Sequence, residues 1–131
     1  NVEVRIGSRI GVPARFVPER MAQFSRQIEQ KVEEVDNKWD SLSDDEQLLQ
    51  AVNLVAWAHG QFVRIHPFCD GNGRIARLLA NCLLTRYDIM YSLTVKPRPS
   101  GNYSDCAAAS MRGNDMDMET YLLREIFLSQ P

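Results

Sequence analysis

Twelve residues, His66-Pro67-Phe68-Cys69-Asp70-Gly71-Asn72-Gly73-Arg74-Ile75-Ala76-Arg77, concentrate the groups in this chain that could do chemistry. Two glycines flank an asparagine just where an apolar helical pattern begins. Glycines let a backbone take unusual dihedrals and let a ligand come close to the main chain. Main-chain N–H groups gathered at the positive end of a helix dipole make an anion site, and phosphate is the natural anion. Arg74 and Arg77 lie three apart on one side of the first turn, and their forked donors suit phosphate oxygens. Two arginines and an N–H nest imply more than one phosphate. Asp70 would repel that charge unless a cation lay between, and Mg²⁺ bound by one carboxylate plus phosphate oxygens satisfies this. His66 alone in the stretch titrates near neutral pH and fits a general base. The residues therefore read as a Mg-nucleotide site with a base beside it. The cradle differs from GxxxxGK[ST], so it is not a P-loop, and no kinase signature accompanies it.

The rest of the chain sets bounds. Its 131 residues suit one domain with a real core. A net charge of −2 gives no electrostatic argument for nucleic acid. No apolar run approaches the ~18–20 residues of a membrane span. Three cysteines, Cys69, Cys82 and Cys106, without a CxxC pair favour reduced thiols and a cytoplasmic setting over a disulfide framework. No signal peptide is expected. The chain begins at Asn1 rather than Met, so a fragment of a longer protein is expected.

The elements that must position the site are legible as helices. Residues 2–12 alternate Val2, Val4 and Ile6 before Gly7-Ser8, and predict a small β-hairpin. Pro18 opens a helix over about 19–38, with Met21, Phe24, Ile28, Val32 and Val35 on one face. Ser43 and Glu46 form a predicted capping box, with Asp44 and Asp45 at the positive end of the dipole. The helix behind them is expected to bury Leu48, Leu49, Val52, Val55, Ala56, Phe62 and Val63, and to end before Pro67. A third helix starts near Asn72, and Ile75, Leu78, Leu79, Cys82 and Leu83 predict its buried stripe. After a loop at 95–102, two shorter helices are expected at about 102–112 and 117–129. The fold class is all-α, a helix bundle with a small N-terminal hairpin.

The stretch from His66 to Arg77 resembles the signature of Fic (filamentation induced by cAMP) domains, His-Pro-Phe-x-acid-Gly-Asn-Gly-Arg-x-x-Arg, and matches it at nine specified positions, with Cys69 at the free one. "VEVRIGS", "FVRI", "RLLANCLL" and "NYSDCAAASMRGND" resemble the surrounding family segments, so the likeness covers nearly the whole chain as one Fic-type domain core, 1–131. It implies transfer of a nucleoside monophosphate, most often AMP from ATP, to a hydroxyl of a target protein. It implies that His66 deprotonates the incoming Tyr, Ser or Thr, and that Asp70 holds Mg²⁺ between the α- and β-phosphates. Asn72, with the backbone of Gly71 and Gly73, would cradle the phosphates, and Arg74 and Arg77 would hold the β- and γ-phosphates. Phe68 would be buried and anchor the loop. The flap, Val4, Arg5, Ile6, Gly7 and Ser8, would register the target by strand addition. Tyr103 is a candidate for the nucleoside pocket.

Other readings stand beside this one. Taken singly, His-Pro-Phe is a loop with an aromatic, Asp-Gly-Asn-Gly a turn, and the arginines solvated charges; the spacing joins them. His59, on the buried helix, reads as a packing or hydrogen-bonding residue. Trp39, Trp57 and Met21 read as packing, and the hairpin could simply cap the bundle. The same site could serve another donor or reaction (UMP or phosphocholine transfer, removal of AMP), or be a catalytically idle binding module. Gly73 argues against the relatives that carry lysine there. The family's inhibitory Ser/Thr-x-x-x-Glu-Gly/Asn element, whose glutamate pairs with the second arginine, has no good match. Ser25 and Glu29 are followed by Gln30 and stand in the wrong place, and Thr120 and Glu125 are one residue too far apart. An inhibitory helix or antitoxin is therefore expected in trans or from a missing segment. Neither nucleic acid nor membrane is expected as a partner. The location is expected to be cytoplasmic, including that of a secreted effector in a host cytosol.

Overall fold

A computed structural model describes Arg5–Ile6, Arg9–Ile10 and residues 12–130. The two dipeptides, β1 (Arg5–Ile6) and β2 (Arg9–Ile10), pair antiparallel with Arg5 opposite Ile10 and Ile6 opposite Arg9. Val2, Val4, Gly7 and Ser8 of the expected hairpin lie outside the described residues. The other described residues are helix and loop: α1 (Val17–Lys38), α2 (Asp44–Ile65), α3 (Asn72–Arg86), α4 (Tyr103–Met111) and α5 (Met116–Ser129), with 3₁₀ turns at Ala14–Phe16 and Trp39–Ser41.

α2 is the axis of the bundle and packs against each of the other four helices. Its composition explains this. Val52, Val55, Ala56, Phe62 and Val63 are buried as expected, and Ala51, Leu54, Ala58, His59, Gly60 and Ile65 join them. A helix apolar almost all round belongs inside. Its start carries the predicted capping box: Glu46 N–H donates to Ser43 Oγ at 3.2 Å, and Ser43 N–H donates to Glu46 Oε1 at 3.0 Å. Gly60 lets α5 come close. A Cβ there would collide with the carboxylate of Asp115, the residue that opens α5. In α1, Phe24 and Val35 are buried, while Met21, Ile28 and Val32 pack at the margin of the core. Trp57 lies against Phe24 and Trp39 against Tyr87, both partly buried.

Two apolar faces differ from expectation. Leu49 is exposed, because it follows the capping turn on the side of α2 that no neighbour covers. α3 is rotated by about one residue from the predicted stripe. It buries Ala76, Arg77, Ala80, Leu83 and Leu84, whereas Ile75, Leu78 and Cys82 are exposed. The periodicity is helical either way. The small side chains of Ala76 and Ala80 admit close approach to α2, and this outweighs the larger area that Ile75 and Leu78 could have buried. Cys69 is exposed and Cys106 buried, and all three thiols are free. No described helix is long and apolar enough to cross a membrane.

Candidate active site

His66 stands where α2 stops. Its N–H still donates to Phe62 O at 2.9 Å, but its backbone is left-handed, with φ 55° and ψ 60°. The reversal turns the chain away from the helix axis and sends Pro67 to Asp70 across the end of the bundle. Burial pushes the His66 imidazole below its ordinary value, opposed in part by the Val63 carbonyl, so the ring is neutral at pH 7 and able to accept a proton.

The loop re-enters helix through Gly71, at φ 83° and ψ 7°, a conformation that glycine takes without steric cost. No side chain among the described residues caps α3, so its first N–H groups are open to a ligand. Asn72 sits buried beneath the turn. Its Oδ1 accepts from Phe68 N–H at 3.0 Å, and its Nδ2 donates to Phe68 O at 2.7 Å. The side-chain oxygen and nitrogen of Asn72 each make one bond to the loop, and one Nδ2 hydrogen remains. One expectation is corrected. Phe68 is 48% exposed rather than buried; its ring lies 6.4 Å from that of Phe62, and its main chain is what is anchored. The preceding proline and the left-handed His66 direct the ring outward.

The two arginines part company. Arg74 is half exposed and lies 3.7 Å from the Asp70 carboxylate, which is itself 96% exposed. A pair this open adds little to stability and can separate when a ligand arrives. The other Asp70 oxygen accepts from Gly71 N–H at 2.8 Å. Arg77 is only 5% exposed. Its Nε and Nη2 donate to Val95 O at 3.2 and 2.7 Å, and its Nη1 donates to Tyr103 Oη at 3.3 Å. Both of its hydrogen-bond acceptors among the described residues are neutral. The ion pairs among the described residues, Arg74–Asp70 and Arg86–Asp36, do not include it. A guanidinium withdrawn from water without a counter-charge is costly and raises the local potential. An anion beside it would relieve that cost.

Tyr103 lies at the start of α4, 2% exposed, with its hydroxyl 2.5 Å from His59 Nε2. It borders the cleft, but its polar end is turned to Arg77 and His59. His59 is fully buried, as a hydrogen-bonding residue of the core should be. Burial first, and the charge of Arg77 second, bring it down to about 4.

These groups surround one cleft of about 590 Å³. His66, Asp70, Gly71, Asn72, Gly73, Arg74, Arg77 and Tyr103 all border it, so the expected site residues of the motif converge. The opposite wall is Ala107, Ala108 and Met111 of α4, with Arg98 and Ser104 at one end. Sequence reasoning missed this wall and the Val95 carbonyl. A main-chain oxygen leaves no sequence signal, and alanines and a methionine read as ordinary helix.

Asp70 suits Mg²⁺ as one exposed carboxylate that could share the ion with phosphate oxygens. No group of three His, Cys, Asp or Glu gathers among the described residues.

A helical bundle with this turn between its second and third helices defines the class. The chain belongs to the Fic/DOC family, whose family model matches residues 8–84, more than half of its length. Among curated relatives, it is 50% identical over 50 residues to the protein adenylyltransferase Fic of Nematostella vectensis, covering 38% of this chain and 12% of that protein. It is 54% identical over 44 residues to the proteins of the same name in Drosophila persimilis and Drosophila melanogaster, covering 34% of this chain and 9% of each. The matched stretch is thus a small part of these much longer proteins.

Proposed function

We propose that this domain transfers AMP from Mg-ATP to a Tyr, Ser or Thr hydroxyl of a target protein and releases pyrophosphate. The observation that carries the reading is the convergence of His66, the uncapped start of α3 and the buried, unpaired Arg77 on one cleft. The family and the names of the relatives agree with it.

In this reading His66 takes the proton of the incoming hydroxyl. The hydroxyl oxygen forms a bond to the α-phosphorus, the bond from that phosphorus to the bridging oxygen breaks, and pyrophosphate leaves with the electron pair. Main-chain N–H groups at Asn72 and Gly73 stabilise the charge that builds on the phosphoryl oxygens. Arg74 and Arg77 hold the β- and γ-phosphates, and Asp70 would hold Mg²⁺, whose charge offsets that of the phosphates. Tyr103 closes the inner end of the nucleotide cleft. The segment Val4 to Ser8, with β1 and β2 as its ladder, would take the target chain as an added strand. An acidic side chain from another segment or partner, set against Arg77, would compete with the γ-phosphate and inhibit.

The test is incubation with Mg²⁺ and α-labelled ATP, GTP, UTP or CTP, alone and with a cell lysate, beside His66→Ala. Label on protein from ATP, lost in the variant while nucleotide binding persists, supports the reading. Label from another donor only, or label that survives His66→Ala, rejects it.

A further inference from the structure

Arg77 has five N–H donors, and three are committed to Val95 O and Tyr103 Oη. Arg77 also borders the cleft, which leaves its other two donors for a ligand there. Where its plane lies depends on its two supports. One is a carbonyl on the loop after α3. The other is a hydroxyl that must present a lone pair, because Arg77 can only donate. A phenol free to rotate could as well turn its proton toward the guanidinium. His59 can remove that freedom: its Nε2 lies 2.5 Å from Oη, and in the tautomer protonated at Nδ1 it accepts the phenol proton, the arrangement that suits an oxygen already facing the donor-only Arg77.

We infer that His59 and Tyr103 form a buried support that fixes the hydroxyl with its lone pair toward Arg77, and so aims the guanidinium at the terminal phosphates of the bound nucleotide. They are positioning residues, and the inference rests on the nucleotide-transfer reading above. The surroundings favour a fixed ring. Tyr103 is held edge-on by His59, at 5.5 Å between centroids, and by Tyr121, at 6.0 Å. The Arg77 guanidinium lies 5.4 Å from the Tyr103 ring centroid and gains a cation–π contact. His59 is an expensive choice for mere packing. Its Nδ1 is buried with no partner among the described residues, a cost that an apolar residue of similar size would avoid. An imidazole brought down to about 4 stays neutral, and only a neutral one can accept the phenol proton.

The experiment compares dissociation constants for Mg-ATP and for AMP in the wild type, Tyr103→Phe, Arg77→Ala and the double variant, with His59→Phe as a second probe of the support. Tyr103→Phe keeps the ring and its packing. It is expected to weaken Mg-ATP binding roughly three- to tenfold, the size of one ordinary hydrogen bond, and to leave AMP binding within about twofold. In the Arg77→Ala background the same change should have no further effect, the signature of two groups acting as a unit. His59→Phe should reproduce the ATP-selective loss. Equal losses for ATP and AMP, unchanged ATP binding, or additive effects in the double variant overturn the inference and leave the transfer reading standing. A wild type that binds neither nucleotide overturns both.

Discussion

The side chain of Asn72 closes a ring on the main chain of Phe68, accepting from its N–H at 3.0 Å and donating to its O at 2.7 Å. Four residues of loop are thereby clamped from below, and the residues at either side of the clamp, His66 and Gly73, face the same cleft. Asn72→Ala removes both bonds and leaves two partly buried main-chain groups unpaired. At about 1 kcal/mol for each bond, a loss of roughly 2 kcal/mol is expected. Urea denaturation of the variant measures it, and a loss under about 0.5 kcal/mol would mean that the loop holds its shape without the clamp.

Gly73 should be a functional glycine rather than a structural one. A Cβ on it would lie 3.0 Å from Arg77 Nη1, and that atom has little freedom to retreat because the guanidinium is tied to Val95 and Tyr103. Within α3, alanine is favoured over glycine by up to about 1 kcal/mol. Gly73→Ala is therefore expected to change stability by less than about 1 kcal/mol, propensity gain and crowding at Arg77 offsetting each other, and to bind Mg-ATP several-fold more weakly. Thermal melting and nucleotide titration on one preparation check both halves.

The pH dependence of transfer should carry the mark of His66. Burial depresses its folded value below 6.5. Its base form therefore persists below the ordinary imidazole range, and activity is lost only as pH falls through the depressed value. A pH–rate profile for kcat/KM should show an acid limb with its midpoint below 6.5. A midpoint at or above 6.5 would mean that the base is not held in this environment.

Gly60 makes the opposite test to Gly73. Alanine would again gain about 1 kcal/mol of helix propensity, but its Cβ would collide with the Asp115 carboxylate and crowd Ser110 Cβ at 3.1 Å. Overpacking of this kind costs about 1–3 kcal/mol, so Gly60→Ala should be destabilised on balance. Adding Asp115→Ala should recover part of the loss, as chemical denaturation of the single and double variants would report.

What could be read in advance from the residues was what depends on near neighbours. Pro18, the Ser43–Glu46 box and the glycine at 71 mark helix ends through bonds that close within a few residues, and the helices begin and end close to those marks. The grouping of His66, Asp70 and the motif glycines was legible for the same reason, since a single turn brings them together. What failed depends on distant chain. Which side of α3 faces inward is decided by how closely Ala76 and Ala80 let α2 approach, and a periodicity weighted by side-chain size points to Ile75 and Leu78 instead. The burial of Arg77 depends on Val95 and Tyr103, 18 and 26 residues away, and the pairing of Tyr103 with His59 spans 44. The alanines at 76 and 80 were the available hint, because small residues four apart mark a face built for close contact.

Under the proposed transfer, the left-handed backbone at His66 sets catalysis against endurance. A non-glycine residue in that region costs roughly 1–2 kcal/mol, and the proline that follows narrows its options further. Glycine would sit there with little strain and would cap α2 well. The most accessible way to toughen this domain is then also a way to silence it: His66→Gly should melt later than His66→Ala while transferring nothing. A design aimed only at robustness would choose that glycine, and the imidazole at this position costs the fold some of its stability.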